Sequence, residues 1–75
     1  MGNLTSAKIN KTYIIENISE LTSLKIKRRL LELGFTKGQK IKLLRKSLLG
    51  KAYLIEIRGY TLTLKKQIAT FIEIK

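Results

Sequence analysis

The sequence predicts a mainly β domain, a small barrel of about five short strands with one α-helix inserted after the first strand. Three observations predict it. Apolar and polar residues alternate over 40–47, 52–58 and 61–64, the period of half-buried strands. Ile26, Leu30 and Leu33 recur instead at spacings of four and three, which puts them on one face of a helix. Glycines at 34, 38, 50 and 59 punctuate these runs, and with no proline in the chain they do all the sharp turning. Short strands separated by turn signals point to a barrel that closes its own edges.

Each element follows from its residues. Residues 1–10 carry no clear period and are expected to be a loose lead-in, with the domain proper over 11–75. Tyr13, Ile14, Ile15 and Ile18 make 11–18 a first strand. Ser19, Thr22 and Ser23 are candidate N-caps for a helix over 23–33, because a side-chain oxygen there accepts from an unpaired backbone N–H. Arg28 and Arg29 complement the negative end of the helix dipole. Gly34 is the C-cap signal, and Phe35 is placed to fold back over the helix end. Leu31 breaks the apolar stripe, so it belongs either to a wide buried face or to a contact surface.

Thr36-Lys37-Gly38-Gln39 is a turn. Over 40–47, Ile41, Leu43 and Arg45 face one side, while Lys40, Lys42, Leu44 and Lys46 make the other strongly basic. Residues 47–51 form a loop whose Leu48 and Leu49 have no obvious core duty. In the next strand, 52–58, Tyr53, Ile55 and Ile57 oppose Leu54, Glu56 and Arg58. Gly59-Tyr60 turns the chain, and 61–64 returns with Leu62 and Leu64 inward. Residues 65–70 suffice for a single helical turn. Phe71-Ile72-Glu73-Ile74 closes the domain, with Ile72 and Ile74 on a shared face.

Seventy-five residues, 44% of them apolar, make one domain with a modest core. Without cysteine or histidine there is no disulfide, no thiolate nucleophile and no imidazole for acid–base work. The five glutamates show no pairing in sequence, so no enzyme, metal site or cofactor is expected. Gly34 and Gly38 are spaced as G-x-x-x-G, but Gly34 ends a helix, whereas a phosphate-binding glycine run precedes one. The N-terminus lacks the long apolar run of a signal peptide, and no segment has the roughly 20 apolar residues that span a bilayer. A cytoplasmic protein without membrane insertion is expected.

Sixteen Lys and Arg against five Glu give a net charge of +11. Such a field favours an anionic partner: nucleic acid, an acidic protein face or a phospholipid surface. Lys40, Lys42 and Lys46, with Arg45, Lys51 and Arg58 nearby, suit a phosphate backbone, the basis of an alternative reading as a nucleic-acid-binding barrel. Aromatic platforms for stacking bases are few: Tyr13, Tyr53 and Tyr60, with Tyr53 among core isoleucines. Leucines beside cations at the helix end and in the Leu48-Leu49 loop suit docking to another protein, with apolar anchors for affinity and charge for steering.

Arg29-Leu30-Leu31-Glu32-Leu33-Gly34-Phe35, Gly38, Arg45, Leu49-Gly50, Glu56, Arg58-Gly59-Tyr60, Leu62 and Leu64-Lys65 together resemble the FeoA family, the small ferrous iron transport protein A and its relatives. The resemblance covers roughly residues 11–75 and rests on the order and spacing of weak motifs. It implies an SH3-like barrel with a helix inserted after the first strand, and no small-molecule substrate is expected. It also implies a regulatory role through binding the cytosolic portion of a FeoB-type GTPase permease. Similar domains form the C-terminal part of iron-dependent repressors. Carried over residue by residue, the resemblance implies a partner-binding set of Leu30, Leu31, Gly34, Arg45, Leu49, Gly50, Arg58 and Tyr60. Leu48 stands where the family's loop often has proline, and Lys51-Ala52 where it often has Asp/Asn-Pro.

Overall fold

In the computed structural model, which describes residues 2–75, the sheet already begins at the N-terminus. β1 (Gly2–Asn3) runs antiparallel to the last strand, Gly2 opposite Ile74 and Asn3 opposite Glu73. The Asn3 side chain then caps a 3-10 turn over Leu4–Ser6, accepting from the Thr5 N–H at 2.9 Å. Leu4 is 0% exposed and Ala7 is buried beside it. The loose lead-in expected over 1–10 is corrected for residues 2–7, and Met1 lies outside the described residues. The pairing joins the two ends of the chain through main-chain bonds, which leave no side-chain period to read.

β2 (Thr12–Ile18) follows, then α1 (Leu24–Glu32), β3 (Lys40–Lys46), β4 (Ala52–Ile57), β5 (Tyr60–Lys65), α2 (Lys66–Ala69) and β6 (Ile72–Ile74). The strand order is β1-β6-β2-β3-β4-β5, with every neighbouring pair antiparallel. β2 is the hinge of the sheet. Thr12, Tyr13 and Ile14 pair with β3, and Ile15 to Ile18 pair with β6 across a register shift at Glu16. An extra residue of this kind bends and twists its strand, which wraps the sheet around one core. β1 and β5 end the ladder without pairing to each other, so the barrel is open there and the expected closure of its edges is corrected.

The alternation read from the sequence fills that core. Ile41 faces Ile57 and Leu43 faces Ile55, and all four are buried with Ile15, Phe35, Ile72 and Ile74. Tyr53 and Leu64 are a buried pair between β4 and β5, with Leu62 packed alongside and Thr61 and Thr63 exposed.

Two local corrections concern the basic strand and the hairpin. The β3–β4 register shifts between Leu43 and Arg45, so Leu44 is a bulge residue. Arg45 therefore pairs with Leu54 on the outer face, joining Lys40 and Lys42 there, while Lys46 pairs with the buried Tyr53 on the inner side. The expected basic face with Lys46 in it, and Arg45 opposite, is thus reversed at its end. The tight turn falls at Arg58-Gly59, one residue earlier than expected. Both have positive φ, 53° and 84°, the pattern of a two-residue type I′ hairpin whose twist matches its strands.

Candidate protein-docking surface

The end of α1 and the tip of the β4–β5 hairpin meet, and sequence chemistry explains both halves. Ser23 is the N-cap, its hydroxyl oxygen accepting from the Ile26 N–H at 3.2 Å. At the other end Gly34, at φ 100°, lets the chain reverse, a conformation that costs most residues a Cβ clash. Its N–H donates to the Leu31 carbonyl at 3.0 Å and the Phe35 N–H to that of Leu30 at 2.9 Å. This is a Schellman cap, completed by burial of both Phe35 and Leu30. Across the cap lies Arg58: a Cβ added at Gly34 would stand 2.5 Å from its Cδ. The Tyr60 hydroxyl donates to the Leu33 carbonyl.

This junction presents apolar groups to water. α1 turns Leu30 into the core, with Ile26 and Leu33 packed against it, and leaves Leu31 outside any wide buried face at 44% exposed. Leu24, 63% exposed, lies seven residues earlier on the same solvent face. Reading the sequence missed it. The signal was present, because a stripe of Ile26, Leu30 and Leu33 leaves Leu24 and Leu31 together on the opposite side. A shallow groove along α1 is lined by Leu24, Ile26, Lys25, Arg28, Arg29 and Glu32. Beyond Arg58 a second depression is lined by Gln39, Lys40, Lys42 and Glu56 among others. The one ion pair among the described residues joins Lys27 to Glu20 at 3.6 Å, while Lys46 Nζ donates to the Thr5 carbonyl at 3.4 Å.

The eight residues expected to bind a partner divide into two groups. Leu31, Gly34, Arg58 and Tyr60 gather at the junction, with Leu30 beneath them in the core. Leu49 and Gly50 lie at the opposite end of β4, whose six residues span roughly 20 Å, and Arg45 pairs with Leu54 midway along it. Leu49 is 76% exposed at the tip of the β3–β4 loop. The two groups therefore do not form one contiguous patch.

The basic outer face of β3 lacks stacking platforms. Tyr53 is buried, Tyr60 is tied to the helix end, and the Tyr13 hydroxyl accepts from the Lys8 N–H at 2.9 Å. Among the described residues no group of three carboxylate, thiol or imidazole side chains is placed to hold a metal ion. No helix among them is long and apolar enough to cross a membrane.

The FeoA domain model matches residues 2–75. The solution structure of FeoA from Chlorobium tepidum superposes with a TM-score of 0.86 at 26% identity, over 96% of this chain and 67% of that one. Zinc-complexed FeoA from Stenotrophomonas maltophilia, described as a prokaryotic SH3 domain protein, gives 0.87 at 23% identity over 100% and 91%. The manganese regulator SloR carries a similar unit: TM-score 0.81, 19% identity, 99% of this chain and 34% of that one. No curated protein sequence matches the chain. With the match running from Gly2 to Lys75 and the SH3-like fold alongside it, the chain belongs to the FeoA domain family, a family associated with ferrous iron transport.

Proposed function

We propose that this protein is a cytoplasmic accessory of ferrous iron uptake, which binds the cytosolic portion of a FeoB-type GTPase permease and regulates it. One observation carries the reading. Leu24 and Leu31 are exposed on the outer face of α1, beside Arg28, and the C-terminal end of that helix meets the Arg58–Tyr60 hairpin tip. Leucines held in water on a rigid helix are the kind of anchor that gives affinity when a partner covers them, and the surrounding cations steer an acidic partner towards them. Because the helix end is fixed by its cap, by Arg58 and by Tyr60, the surface is preorganised and little ordering entropy is lost on docking.

The test is titration calorimetry against the cytosolic portion of such a permease. Leu31→Asp should weaken binding about tenfold or more, an effect of ~1.4 kcal/mol, and keep the circular dichroism of the parent. Undiminished affinity would remove the reading. The nucleic-acid alternative is tested by a salt titration with single-stranded RNA, where a steep logarithmic fall of affinity with salt would favour it.

A further inference from the structure

The β3–β4 loop stands apart from the proposed docking surface, and its build is unusual for a water-exposed turn. The Gly50 N–H donates to the Ser47 carbonyl at 2.8 Å, closing a β-turn with Leu48 and Leu49 at its centre. Leu48 is 100% exposed and Leu49 76%. The turn is held from below. Ser47 Oγ accepts from the Lys51 and Ala52 N–H groups at 3.0 and 3.1 Å, and the Ser47 N–H donates to the Ala52 carbonyl at 2.9 Å. The two leucines are thus fixed at an apex, not dangling on a slack loop.

Cations surround that apex. Arg45 lies on the outer face of the strand that enters it and Lys51 leaves it, while Lys46 is turned inward over the Tyr53 ring, its Nζ donating to the Thr5 carbonyl at 3.4 Å. Lys65 sits opposite Ala52, and the Lys66 N–H donates to the Lys51 carbonyl at 2.9 Å, which brings both beside the loop base. No acidic residue occurs between Glu32 and Glu56, or between Glu56 and Glu73. A collar of one sign around an apolar apex has a natural complement. We infer that the Leu48-Leu49 turn docks on an anionic phospholipid surface, with both leucines in the headgroup–acyl boundary and the lysines against phosphates.

The apex projects its side chains outward, and a bilayer interface yields around such a projection without needing a preformed groove. Each buried methylene adds to the partition, and each Lys or Arg near an anionic surface strengthens it about fivefold. The contact is peripheral, by a loop tip. It is independent of the permease reading, and its test contains no partner protein.

The experiment is sedimentation of the full chain with phosphatidylcholine vesicles, with and without phosphatidylglycerol. Binding should be at least about tenfold tighter on the anionic vesicles. Leu48→Ser with Leu49→Ser should lower it about tenfold or more, and should preserve the circular dichroism because both side chains already lie in water. Lys51→Gln with Lys66→Gln should lower it by a similar factor and narrow the preference for anionic lipid. Absence of binding to anionic vesicles would overturn the inference. So would vesicle binding that the serine pair leaves unchanged, since the spread charge alone would then explain it. A leucine-dependent affinity for soluble poly-glutamate, without one for vesicles, would assign the apex to an acidic protein and equally overturn it.

Discussion

The Tyr60 hydroxyl donates to the main-chain carbonyl of Leu33, so the first residue of β5 ties down the last turn of α1. Helix ends leave carbonyls without intrahelical partners, and this one is served by a side chain 27 residues further on. Among the described elements, α1 meets the sheet mainly through Leu30, its one buried residue, so the tie matters for where Leu24 and Leu31 point.

Tyr60→Phe removes the donor and leaves the ring. Stability should fall by about 0.5–1.5 kcal/mol, at the lower end because water replaces the bond at this exposed site. Urea unfolding reads the shift, and an unchanged midpoint would mean the tie contributes nothing.

Gly34→Ala tests the contact with Arg58. The left-handed backbone alone should cost about 1–2 kcal/mol, and the new Cβ would also displace the Arg58 side chain. In an Arg58→Ala background the second cost disappears. A double-mutant cycle should therefore show coupling between the two sites, and strict additivity would place Arg58 away from the cap in solution.

Much of this architecture was legible in the chain. Period-two alternation located Tyr53, Ile55 and Ile57 in the core, and a period near 3.6 placed Ile26, Leu30 and Leu33 against it. Gly34 announced the cap. What stayed hidden was long-range or off-register. A bulge at Leu44 leaves no mark on residue type, yet it carries Arg45 to one face and Lys46 to the other. Family motifs likewise gave residues without distances. Leu49 and Arg58 are nine apart in sequence and at opposite ends of a strand in space.

Leu4→Ala addresses the N-terminal segment. A loose lead-in would tolerate it without effect, whereas a side chain with 0% exposure should cost about 2–5 kcal/mol. For a domain of this size the thermal midpoint should drop by well over 5 °C, since each kcal/mol is worth about 4–8 °C. Differential scanning calorimetry distinguishes the two.

The most direct measurement is an NMR titration of the isotopically labelled chain with the cytosolic portion of a FeoB-type permease. The account predicts that amide shifts concentrate on Leu24, Leu31, Gly34, Arg58 and Tyr60 and leave the Leu48–Gly50 amides in place. Shifts confined to the Leu48-Leu49 end, or scattered evenly over the lysines, would contradict it.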